Sequence, residues 1–126
     1  MTIEALDVIS NAMSEMGLAY SLVERKAKPV YPYFTGEYQE IEPLSEDGME
    51  ETTFLLNGFS RADWLSLEEA KAKIKEKFDP KGGLIVTTDT GSVVAIFYSD
   101  SLVIPTEDAE LKRMQINLTI KEWSVK

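Results

Sequence analysis

Hydrophobic and polar positions along this chain follow two different periods, and the switches between them mark out its elements. Ile3, Leu6, Ile9, Met13 and Met16 recur at three- and four-residue steps, with Glu4, Asp7, Ser10, Asn11, Ser14 and Glu15 between them. That spacing predicts an amphipathic helix, capped by Thr2 and ended by Gly17. Alternation then takes over, and Leu18 to about Arg25 reads as a strand, followed by a basic connection from Lys26 to Pro29. The most regular alternation comes last: Met114, Ile116, Leu118 and Ile120 fall on one face, and Arg113, Gln115, Asn117, Thr119 and Lys121 on the other. A strand written this way buries one face only.

Between these ends lies a two-stranded unit from Tyr31 to Ser60, folded by the acidic turn Ser45-Glu46-Asp47-Gly48. Its flanks carry Tyr31, Tyr33, Phe34 and Tyr38 on one side and Phe54, Leu55, Leu56 and Phe59 on the other, so Tyr38 is expected opposite Phe54 or Leu56. Pro32 and Pro43 are expected to confine the unit to the sheet's edge, as a long protruding hairpin. A second helix follows, with a capping box at Ser66-Leu67-Glu68-Glu69 and an apolar face of Leu67, Ala70, Ile74 and Phe78. Glu69 and Lys73 are spaced as an ion pair on it, and Asp79-Pro80-Lys81-Gly82-Gly83 stops it. Leu84 to Thr88 and Val93 to Ser99 form a hairpin about Asp89-Thr90-Gly91-Ser92, continuing after a bend at Asp100-Ser101 into Leu102-Val103-Ile104. This order predicts one α+β domain over residues 1–126, with a mainly antiparallel sheet and two helices packed against it.

Composition narrows the chemistry. The 126 residues include no histidine and no cysteine, which removes the usual general base, soft metal ligands and thiol nucleophile together. An enzyme is not expected. Carboxylates are plentiful, but Glu46-Asp47, Glu50-Glu51 and Glu107-Asp108 with Glu110 cluster at turns and strand ends, where water solvates them. No segment has the spacing of a calcium loop, and Gly82-Gly83 follows a helix instead of opening one, the reverse of a phosphate cradle. No cofactor or metal is expected. Net charge is -9, from 22 acidic and 13 basic residues, which disfavours clasping DNA or an anionic membrane. The same charge suits a conduit through which DNA passes without sticking. The start lacks a secretion signal and no apolar run is long enough to span a bilayer, so the chain is expected to be intracellular when made.

What remains is contact. The acidic tip (Glu46, Asp47, Glu50, Glu51), the ring of Tyr38, and Gln115, Asn117 and Trp123 on the polar side of the last strand are the candidate protein interface. Trp64 is expected at the core or its edge, whereas Trp123, three positions beyond Ile120, falls on the polar face. Three stretches, Tyr33-Phe34-Thr35-Gly36-Glu37-Tyr38, Thr52-Thr53-Phe54-Leu55-Leu56-Asn57-Gly58-Phe59 and Leu111-Lys112-Arg113-Met114-Gln115-Ile116-Asn117-Leu118, resemble small neck and tail-completion (tail terminator) proteins of long-tailed bacteriophages and prophages. The resemblance implies a subunit of a hexameric ring that caps the tail tube and meets head-connector proteins. It implies no enzyme activity, DNA passage without specific binding, and a life in the bacterial cytoplasm and then the virion. The alternative is a monomeric acidic binding protein, an immunity or inhibitor protein for a basic partner.

Overall fold

The structure is a computed structural model that describes residues 1–23, 30–40 and 49–123. The order of elements is α1 (Ile3–Glu15), β1 (Ala19–Leu22), β2 (Tyr33–Glu40), β3 (Met49–Ser60), α2 (Trp64–Lys77), β4 (Leu84–Thr87), β5 (Val93–Ile104) and β6 (Lys112–Trp123). The strands form one curled mixed sheet in the order β1-β2-β3-β6-β5-β4, with β1 parallel to β2 and every other pairing antiparallel. Two helices and a sheet make an α+β fold.

Burial follows the alternation that the sequence writes. Met114, Ile116, Leu118 and Ile120 of β6 lie beside Phe54 and Leu56 of β3 and Val94 and Ile96 of β5, all on one face and all buried. Each large side chain removed from water there contributes about 1.5–3 kcal/mol. Leu67, Ala70, Ile74 and Phe78 of α2 close over this face as expected. From α1 the buried residues are Ala5, Ile9, Ala12 and Met13. Ile3 is 77% exposed, because small Ala5 and Ala12 let the helix approach the sheet on a face rotated away from it.

The helix ends show how local chemistry sets boundaries. Thr2 caps α1, accepting the Ala5 amide at 3.1 Å, and Gly17 (φ 72°) turns the chain out of it. The start of α2 departs from the expected capping box. Its cap is Asp63, whose carboxylate accepts the Ser66 amide at 2.9 Å, so the helix begins three residues earlier and Ser66 lies inside the first turn. The ion pair formed on α2 is Glu68–Lys71 (2.7 Å), not the Glu69–Lys73 pair. Trp64, placed in the first turn, is 39% exposed instead of lying in the core.

The ribbon also departs from expectation. Tyr38 does pair with Phe54, and their rings stack at 6.3 Å. Yet β3 is an interior strand, flanked by β2 and by β6, which pairs with it from Met49↔Trp123 to Ser60↔Lys112. From Thr52 to Phe59 it is paired on both sides, while Met49–Glu51 and Ser60 pair with β6 alone. The second neighbour is β6, which arrives from the end of the chain. The proposed tip, with Glu46, Asp47 and Pro43, lies outside the described residues, as does the basic connection from Lys26 to Pro29. The β1 strand ends earlier than expected, at Leu22, where Val23 enters the left-handed region (φ 66°).

The contact between β2 and β3 is close enough to require glycine. A Cβ on Gly36 would lie 2.5 Å from the Phe54 ring and 2.6 Å from the Tyr20 hydroxyl. Gly36→Ala is expected to cost about 1–3 kcal/mol through overpacking, read as a lower midpoint in urea unfolding; an unchanged midpoint would refute that close approach. Burial also pushes the Tyr20 phenol up from 10.0 to about 12. A raised folded pKa means that this group's contribution to stability is complete below about pH 10 and is lost as pH rises through 12. In a spectrophotometric titration of the folded protein, Tyr20→Phe should remove an ionisation step near pH 12.

Candidate docking face

Both helices cover the same side of the sheet, so the opposite side is left without a layer of its own. Arg113, Gln115, Asn117, Thr119, Lys121 and Trp123 of β6 point there. They are joined by Glu51, Leu55, Asn57 and Phe59 of β3, Glu37 of β2, and Phe97, Asp100 and Leu102 of β5. The β6 side chains, Leu55, Phe59 and Phe97 are half-buried and Asn57 is buried, because the sheet curls and neighbours shade one another, whereas Glu37, Glu51, Asp100 and Leu102 are exposed.

Hydrogen bonds organise the face into two crosswise ladders. In the first, Arg113 Nη2 donates to Asn57 Oδ1 at 2.9 Å, and Asn57 Nδ2 donates to Glu37 Oε1 at 3.2 Å, tying together β6, β3 and β2. The Arg113 guanidinium also lies over the Phe59 ring at 5.7 Å, and its buried Nε has no hydrogen-bond partner. In the second, Gln115 Nε2 donates to Asn117 Oδ1 at 3.0 Å and Asn117 Nδ2 donates to Asp100 Oδ1. Ser99 and Thr119 share a hydroxyl hydrogen bond at 2.6 Å. Near the Trp123 end, Lys121 lies over Phe97 at 5.8 Å and reaches Glu51 at 3.9 Å. Side chains held in such ladders lose little further freedom on binding, which favours docking.

The expected interface residues divide between the two sides. Gln115, Asn117, Trp123 and Glu51 come together on the helix-free face. Tyr38 and Glu50 do not: Tyr38 stacks on Phe54 at the margin of the helix side, and Glu50 shares the side of Thr52 and Phe54. There Glu50 stands opposite Glu122 in register. The Met1 amino group lies 3.9 Å from a carboxylate oxygen of each, and Glu122, 3% exposed, accepts from the Thr2 hydroxyl at 2.6 Å and the Thr2 amide at 3.2 Å. One threonine thus caps α1 and anchors it to the sheet. Sequence reasoning placed Arg113 and Lys121 on the polar face but assigned them no contact, and it passed over Asn57. An amide inside the apolar run Phe54–Phe59 was the available signal.

A separate cluster closes the other end of the molecule. Arg61 Nη1 donates to Asp108 Oδ2 at 2.9 Å in an exposed pair. The Glu110 amide and then Arg61 hold the Asp108 carboxyl below its ordinary value. Among the described residues no group of three or more acidic side chains is placed to hold a metal ion, and no helix is long and apolar enough to cross a membrane.

No family model matches the chain, and no curated protein matches it. Solved structures do. One, designated only by a sequence identifier, superposes with a TM-score of 0.71 at 14% identity, covering 100% of this chain and 99% of the other. Another is a chain of the virion of a native gene transfer agent particle, with a TM-score of 0.65 at 12% identity, covering 95% of this chain and 90% of that one. At such identities the likeness is one of fold, and it runs nearly end to end.

Asn57, 6% exposed, is the hinge of the first ladder. Asn57→Ala is expected to destabilise the fold by about 1–3 kcal/mol by leaving the half-buried Arg113 guanidinium without its acceptor. Chemical denaturation checks this, and an unchanged midpoint would mean that the ladder carries no weight.

Proposed function

We propose that this chain is a structural protein of a phage or prophage particle, of the tail-terminator or head-tail joining type. It acts by assembling into a hexameric ring and docking to tail-tube or head-connector subunits. The observation that carries this reading is the nearly full-length likeness of fold to a chain of a gene transfer agent virion. Fold alone does not fix function, so the face described above supplies the second support. It offers aromatic and arginine anchors, Trp123, Phe59 and Arg113, among fixed amides, a composition typical of interface centres.

The charge of -9 fits the same role. Carboxylates around a channel repel phosphate, so DNA passes without specific binding. The protein is proposed to carry no enzyme activity, and to move from the bacterial cytoplasm into the virion as particles assemble.

The test is to mix the purified chain with a phage tail-tube protein and to follow light scattering and negative-stain images. Rings seated on tube ends are the expected result. A strict monomer that forms no ring with the tube protein would overturn the proposal. Tight, salt-sensitive capture of a basic nuclease by that monomer would point to the inhibitor reading.

A further inference from the structure

The β5 strand is longer than the neighbour that protects it. β4 pairs only with Val93–Ile96, while β6 follows β5 on the other side as far as Ile104. The chain leaves this edge at Gly83, whose positive φ (68°) lies beside the Phe97 ring and diverts the backbone toward α2. The next amide, that of Tyr98, is taken by the Phe78 carbonyl at 2.8 Å. Beyond it, from Asp100 to Ile104, no described backbone group pairs with the outer edge.

This open stretch is bounded and apolar. A register shift between Tyr98 and Asp100 marks its start and Pro105, which has no amide to donate, marks its end. Leu102 is 46% exposed and Val103 is 53% exposed, one on each side of the sheet. Natural edges are usually blunted by lysine, by inward charge or by a covering loop. Asp100 is the only charge in this one.

We propose that this edge pairs with the same edge of a second copy of the chain, antiparallel and two-fold about Leu102. An extended backbone is the protein occupant that fits an unpaired strand edge, because it offers a matching row of amides and carbonyls. The segment is complementary to itself in this register. Leu102 meets Leu102 and Asp100 meets Ile104 on the helix-free side, while Ser101 meets Val103 on the helix side. The whole stretch between the bulge and Pro105 is used, and no two carboxylates face each other, although each copy carries a charge of -9. Because the axis is two-fold, the contact closes as a pair. It is separate from the cyclic contacts of a ring.

The absence of cysteine makes the test direct. Opposed residues of antiparallel strands have Cα atoms about 4.5–5.5 Å apart, within the reach of a disulfide. Leu102→Cys is therefore expected to give a covalent dimer on mild oxidation, severalfold faster than Val103→Cys or Ile85→Cys, which have no copy of themselves opposite. Leu102→Lys sets two ammonium groups face to face and is expected to abolish the dimer seen in sedimentation of the unmodified chain, with the circular dichroism spectrum unchanged. Leu102 lies on the helix-free face, so the two proposals are separated by Val103→Lys, on the helix side: it should weaken the dimer severalfold and still form rings with the tube protein. A monomer at every concentration, a dimer that survives Leu102→Lys, equal oxidation rates for the three cysteine variants, or pairing seen only with a different protein would each overturn the inference.

Discussion

The twelve-residue antiparallel pairing of β3 with β6, whose fully buried apolar side chains all lie on one face, is the constraint on which the rest of the molecule depends. Side chains in a strand alternate, so a slip of one residue would carry Ile116, Leu118 and Phe54 to the opposite side and bring Arg113, Asn117 and Lys121 under the helices. The cost of burying those charges and amides forbids the slip. Both helices must then dock on the same apolar face, and the other face is left as a polar platform. The surface proposed to make contacts is thus a consequence of the core and not an addition to it.

The helix layer is attached by polar as well as apolar means. Glu122 interrupts the apolar side of β6 at its end, yet it receives the Thr2 hydroxyl and amide, fixing where α1 begins. At the other end of α1, Lys77 of α2 donates to Glu15 at 2.7 Å in an exposed pair that contributes modestly. Asp63 and Ser60 secure the start of α2, the Ser60 hydroxyl lying 3.1 Å from that of Ser66. The helices hold the sheet rigid from behind while its front stays available.

Much of this was legible in the residues. The period-two pattern of β6, the apolar face of α2, the Thr2 and Gly17 signals and the hairpin about Gly91 all state their structure locally, because burial and turn chemistry dictate them residue by residue. What stayed hidden depends on partners distant in sequence. The interior position of β3 follows from β6 arriving at its edge some sixty residues later in the chain, and no pattern within Tyr31–Ser60 announces it. The rotation of α1 reflects Ala5 and Ala12, whose small size matters only against a sheet. The division of Glu50 from Glu51 is set by strand parity, and the Arg113–Asn57–Glu37 ladder joins three strands whose order the sequence does not write.

The claim that the helix-free face makes the functional contacts can be tested by carboxyl footprinting of the chain, free and after assembly with tail-tube subunits. Glu37, Glu51 and Asp100 lie on that face, while Glu15 and Glu68 lie on the helices. Assembly is expected to shield the first group and leave the second reactive. Shielding of Glu15 and Glu68 with Glu37, Glu51 and Asp100 still fully labelled would contradict the account.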